Sequence, residues 1–168
     1  MKKLLLLSMV GCLSLFVFSC GQAPTVLKVG DSAPDFSLVD RLGKSWTLSE
    51  LKGQVVFINF WATWCSPCLK ELPSMQTLFA SLPNDKFKML AVLNNDKPVL
   101  ADFVAKQKGI TIPILDDSQN LIGSKYDITG LPETFILDKQ GIIREKIIGP
   151  AQWDTPEALQ MIMKYINQ

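Results

Sequence analysis

The stretch "VVFINFWATWCSPCLKELP", Val55 to Pro73, decides how the rest of the chain is read. Val55 to Phe60 is a continuous apolar, β-rich run, the pattern of a central strand buried on both faces. From about Cys65 to Leu82 the spacing of Leu69, Leu72, Met75, Gln76 and Phe79 turns mostly helical. Pro73 falls inside that helix and is expected to kink it, because its ring meets the carbonyl of Leu69 and removes one hydrogen bond. Cys65 then sits at the strand-to-helix junction as the N-cap, with Cys68 three residues on along the same face, where the two sulfurs can meet. Pro67 lies in the first turn, where a missing N–H costs nothing. The thiolate is the attacking species, and the free N–H groups and partial positive charge of a helix N-terminus favour it. Cys65, at the helix end and exposed beside Trp64, is therefore expected to be the nucleophile, and Cys68 the resolving thiol.

The remaining cysteines belong to the chain's beginning. Met1-Lys2-Lys3 is a short positive region, and Leu4 to Phe18 is an apolar run ending in "VFSCGQAP", the layout of a secretory signal. Such a run is short for a membrane-spanning helix, which needs about 20 residues. Val17-Phe18-Ser19-Cys20 resembles the bacterial lipobox, in which the cysteine is lipidated and becomes the first residue of the mature chain. Cys12 is a rival site, but cleavage there would leave "LSLFVFS" exposed. Residues 1–19 are thus expected to be a signal peptide, 20–30 a lipidated N-terminus and tether, and 31–168 one globular domain. Of the four cysteines only Cys65 and Cys68 then remain for one disulfide, so a structural disulfide framework is excluded. Losing residues 1–19 removes Lys2 and Lys3 and no acid, which lowers the formal charge of +1 by two. Nothing basic enough for nucleic acid remains.

The chain has 168 residues and no histidine, so the commonest general base and metal ligand is missing. Cys68 is followed by Leu69, which rules out a c-type haem attachment site, and two thiols without an imidazole do not make a closed zinc site. Neither a metal nor an organic cofactor is expected. Around the cysteine pair, "APDFSLVDRLGKSWTLSEL" reads as a hairpin turning at Arg41 to Lys44. A strand near Phe87 to Leu93, a helix near Val99 to Lys108, a strand near Ile112 to Leu115 and a helical turn near Asn120 to Tyr126 follow. "LPETFILDKQGIIREKIIG" is a second hairpin, turning at Asp138 to Gly141. The last helix starts with Thr155 as N-cap and Pro156 at its first position, and Leu159, Ile162, Met163 and Ile166 line the face expected to dock on the sheet. Alternating strands and helices with a terminal hairpin indicate an α/β sheet with one antiparallel portion.

"FINFWATWCSPC" and "GLPETFILDKQG" together resemble thioredoxin-fold proteins. More narrowly, they resemble the TlpA/ResA family of membrane-tethered, extracytoplasmic thiol-disulfide oxidoreductases within the redoxin/AhpC-TSA-like superfamily. The similarity runs from about Ala33 to the end of the chain. It implies a central mixed sheet flanked by helices, with an N-terminal hairpin extension and a central βα insertion. It also implies that Pro132 is the cis-proline facing the cysteine pair and that Leu131 offers backbone groups to an extended substrate segment, with Trp64 and Pro67 on the rim. Glu71 corresponds to an active-site glutamate in part of the family, and Glu133 to the glutamate of "APETF"-type members, close enough to the sulfurs to raise their pKa values. Where cytoplasmic thioredoxins carry a buried aspartate, this chain has Asn59, which cannot relay a proton. If Cys68 needs a base, Glu71, Glu133 or water must provide it.

The expected function is thiol-disulfide exchange outside the cytoplasm, most directly the reduction of partner disulfides, apocytochromes c among them. Electrons would come from a membrane thiol-transfer protein, the membrane would be reached through the anchor at Cys20, and the protein would act as a monomer. The alternatives are an oxidant of the same fold, a peroxiredoxin-like peroxidase and a non-catalytic binding lipoprotein. A peroxidase needs a P-x-x-x-T-x-x-C pattern, and here Ile58 and Ala62 stand at its proline and threonine positions.

Overall fold

A computed structural model describes residues 26–168. The signal segment, the greater part of the tether and the lipidation candidate Cys20 lie outside the described residues. The strands are β1 (Ser37–Val39), β2 (Ser45–Thr47), β3 (Val55–Trp61), β4 (Phe87–Asn94), β5 (Ile114–Asp117), β6 (Glu133–Leu137) and β7 (Ile143–Ile148). The helices are α1 (Ser66–Ser81), α2 (Pro98–Lys108), α3 (Leu121–Lys125) and α4 (Pro156–Ile166).

All seven residues of β3 are buried, as a strand covered on both faces must be, and β3 is the middle strand of the main sheet, ordered β5-β4-β3-β6-β7. It runs parallel to β4 and antiparallel to β6. The pleat sends Phe57 and Trp61 to one side and Val56, Ile58 and Phe60 to the other. On the first side lie α1, α2 and α4, with Phe57 edge-on to Trp153 at 4.6 Å between ring centroids. On the second side lie α3 and the β1–β2 hairpin, which bring Tyr126, Phe36, Trp46 and Leu48 onto the sheet.

The hairpin is organised by Asp40, whose carboxylate accepts the N–H groups of Leu42 and Lys44 and the Trp46 indole N–H at 2.8 Å. The backbone N–H of Arg41 donates to the carbonyl of Ile114, so the hairpin covers the outer edge of β5. At the other edge, Gly30 N–H donates to Ile143 and Ser32 bridges to Ile142. Part of the expected tether is therefore already held by the domain.

Two expectations shift. The strand expected at Ile112 to Leu115 forms two residues later, because Ile112 is buried ahead of the ladder that starts at Ala91↔Ile114. In α4 the buried face is Ala158, Ile162, Tyr165 and Ile166, and Leu159 is exposed. The Tyr165 hydroxyl reaches Glu145 on β7, which aligns the helix to this face. As expected, Pro73 lies inside α1, which runs from Ser66 to Ser81.

Candidate active site

Strand β3 ends at Trp61, and four residues later the chain turns into α1 with Cys65 as its N-cap in extended conformation. Its sulfur accepts the Cys68 N–H at 3.2 Å, the bond that an N-cap side chain ordinarily makes to one of the unpaired N–H groups of the first turn. Cys65 and Cys68 are joined as a disulfide with sulfurs 2.06 Å apart. The preceding loop is pinned from the β4–α2 connection, where one oxygen of Asp96 accepts both the N–H and the hydroxyl of Thr63 at 2.6 Å.

The two sulfurs differ in access. Cys68 is fully buried and Cys65 retains 5 % exposure. Cys65 is thus less open than the sequence suggests, although it remains the outer of the pair. Trp64 beside it is 63 % exposed, and Pro67 lies on the surface. The Leu131–Pro132 bond is cis, Pro132 accepts a hydrogen bond from Gly149 N–H, and Leu131 is half-buried. Ile148, which pairs with Glu133, is 74 % exposed at the same end of the sheet. Sequence reasoning missed Ile148, although an isoleucine ending a strand next to "GP" is an available signal.

The two acids part company. Glu71 faces the sheet one turn after Cys68 and is 3 % exposed, not solvated as a helix carboxylate usually is. Its Oε1 accepts from the Asn59 amide at 2.8 Å, and its Oε2 accepts the Ala151 N–H at 3.1 Å. Burial pushes its pKa above the usual carboxyl value, while the bonds from Ala151 and Asn59 and the nearby Trp153 indole pull it back. The same Asn59 amide donates to the Thr134 hydroxyl at 2.9 Å. Asn59, Glu71 and Thr134 thus form one buried cluster beneath the disulfide helix.

Glu133 was expected near the sulfurs, and the pleat of β6 corrects this. Thr134 points to the α1 side and Ile136 joins the cluster that holds both cysteines, whereas Phe135 belongs to the opposite face. Glu133 alternates with Thr134 and so shares the Phe135 face. There it is 1 % exposed and lies 3.2 Å from the Lys146 ammonium, which also donates to the Leu27 carbonyl at 3.1 Å. Burial raises its pKa and Lys146 lowers it. Lys146 was not singled out from sequence, since nothing marks a lysine on an edge strand as an inward partner.

A disulfide at a helix N-terminus, with Cys65 the outer of two buried cysteines and Cys68 sealed, suits exchange with a partner that approaches from the Trp64 side. Comparison with known proteins agrees. Residues 29–146 match the AhpC/TSA family. The chain is 38 % identical over 125 residues to the thiol-disulfide oxidoreductase ResA of Geobacillus kaustophilus, covering 74 % of this chain and 72 % of that protein. Among solved structures, a thiol:disulfide interchange protein of the thioredoxin family from Chlorobium tepidum superposes with a TM-score of 0.70 at 27 % identity, covering 83 % of this chain and 98 % of that one. StoA from Bacillus subtilis superposes with a TM-score of 0.65 at 28 % identity over 81 % and 98 % of the two chains. The fold is thioredoxin-like, with the N-terminal hairpin as an added sheet. The chain belongs to the AhpC/TSA family and, within it, is a thiol-disulfide oxidoreductase of the ResA type.

Proposed function

We propose that the protein reduces disulfides of partner proteins outside the cytoplasm, where a lipid at Cys20 tethers it to a membrane. The unequal burial of the two sulfurs at the start of α1 carries this reading. The reduced form carries two thiols. The Cys65 thiolate attacks one sulfur of the client disulfide, a mixed disulfide forms, and the first client sulfur leaves as a thiolate that takes up a proton. Cys68 then gives its proton to Glu71 and attacks the Cys65 sulfur. The Cys65–Cys68 bond closes, and the second client thiolate leaves and collects the proton. Two electrons pass from the protein to the client, and a membrane thiol-transfer protein restores the dithiol.

The client segment lies along Leu131 as an added strand, with the cis-proline Pro132 beneath it and Trp64, Pro67 and Ile148 at the rim. Glu133, on the far face, supports this strand through Lys146 instead of meeting the sulfurs. Apocytochromes c suit the reaction, because haem attachment requires both client thiols to be free. Among the described residues no helix is long and apolar enough to cross a membrane.

The test is the reduction potential of the Cys65–Cys68 pair, equilibrated in graded glutathione or dithiothreitol buffers. A potential near or below about −250 mV, close to that of thioredoxin, supports a reductant. A potential near about −120 mV marks an oxidant and overturns the direction proposed.

A further inference from the structure

Glu71 can serve the resolving step only if it can both lose and regain a proton while sealed from water. A buried carboxyl needs a donor facing it when ionised and an acceptor when protonated, and an unpartnered buried polar atom is costly. Asn59 stands opposite its Oε1 and is itself fully buried. The amide nitrogen makes two bonds, to Glu71 at 2.8 Å and to the Thr134 hydroxyl at 2.9 Å. The amide oxygen makes none, although it is buried. All the hydrogen-bonding capacity of the amide is thus turned to one side.

We infer that Asn59 is a positioning residue that follows the proton on Glu71 by turning its amide over. With Glu71 ionised, Nδ2 donates to the carboxylate and to Thr134, as in this structure. When Cys68 passes its proton to Glu71, the sulfur becomes a thiolate and the carboxylate becomes a carboxyl. The amide then rotates by half a turn, and Oδ1 accepts from the Glu71 O–H. Thr134 matches both states, because a hydroxyl accepts from Nδ2 in one and donates to Oδ1 in the other. The Ala151 N–H stays on Oε2 throughout. An ionised aspartate at position 59 could accept but not donate, and would set a second negative charge beside Glu71.

The other groups around Glu71 do not compete for this role. From the β7–α4 connection it meets the Ala151 N–H and the Trp153 indole and from the sheet Asn59, which also holds Thr134, while Cys68 lies one turn earlier on its own helix. None of these but Cys68 exchanges protons near neutral pH, and no charged side chain is among the causes of its shifted pKa.

The inference rests on Glu71 acting as the proton acceptor, and the experiment separates the two. The decay of a mixed disulfide between Cys65 and a quenched peptide is followed against pH in the reduced wild type, E71Q, N59A and N59D, with the Glu71 carboxyl titrated by 13C NMR. In the wild type the decay rate climbs with pH as Glu71 ionises. E71Q should lose this climb. N59A should move both the climb and the carboxyl titration to higher pH and slow decay at pH 7 about tenfold, the equivalent of one hydrogen bond to a charged group. N59D, of nearly the same shape but with a negative charge beside Glu71, should move them further still. If E71Q keeps the climb, Glu71 is not the acceptor and the proposed step fails. If E71Q loses it while N59A and N59D leave climb and titration in place, Glu71 stands and the role of Asn59 is overturned.

Discussion

Replacing Lys146 by methionine keeps an unbranched stem and removes the ammonium, which lies 5.3 Å from the centre of the Phe135 ring. Glu133, 1 % exposed, then has no counter-ion in place of the ammonium that lies 3.2 Å away. Breaking one side of a buried pair costs about 3–5 kcal/mol. The Lys146 side chain retains 14 % exposure, which places this case near the lower end, at about 3 kcal/mol. For a domain of this size that is about 6–12 °C in Tm. The loss must depend on pH. Burial raises the Glu133 pKa and Lys146 opposes it, so the variant keeps the raising influence alone. A carboxyl that holds its proton more tightly folded than unfolded costs stability as pH rises through the window above its ordinary value of 4.5. Urea unfolding should therefore show the variant far below wild type at pH 7 and much closer at pH 5. The double variant E133Q/K146M, which removes both charges, should recover most of the difference. A loss below about 1 kcal/mol, or one that is the same at both pH values, would refute the claim that Glu133 is ionised and held by Lys146.

Two further outcomes are expected. Asp40→Asn should cost about 2 kcal/mol at pH 7, the value of hydrogen bonds to a charged acceptor. Burial raises the pKa of Asp40, but the Trp46 indole and the N–H groups of Lys44 and Leu42 outweigh this and hold it below 3.8. Its stabilisation is therefore present above that value and fades as pH falls through the lower folded pKa, so the urea midpoints of the two proteins should converge in acid. Cys68→Ser should accumulate a client mixed disulfide through Cys65, visible as a heavier band without reductant, whereas Cys65→Ser should accumulate none.

Local chemistry made much of the fold readable before any coordinates. An unbroken apolar run bounded by turn residues gave β3 away, Asp138 to Gly141 marked the last hairpin, and Thr155-Pro156 marked the start of α4, where the Thr155 hydroxyl does accept from Ala158 N–H. The cysteine pair was legible because spacing and helix position are both local properties. What escaped depends on partners distant in the chain. Glu71 looks like any solvated helix acid until Asn59 and Ala151, 12 and 80 residues away, close around it. The placement of Glu133 could have been worked out, since strict alternation along β6 sends it away from Thr134. The family resemblance pointed to a residue, whereas the pleat decides which face it serves. The strand end before "GP" marks Ile148 only as an edge residue, and its place beside Glu133 becomes clear when β7 is laid beside β6.

The edges of the main sheet also bear on how the protein would stay dispersed at high local concentration on the membrane surface where we propose it is tethered. A bare edge strand offers unpaired N–H and C=O groups to any other strand, and neighbours confined to two dimensions meet often. Here Arg41 closes off β5, and Gly30 and Ser32 close off one end of β7, so the chain spends its own N-terminal segments as bumpers against self-association. Trimming the protein past Gly30 to obtain a shorter soluble form would bare the β7 edge, and the expected penalty is precipitation rather than loss of redox chemistry.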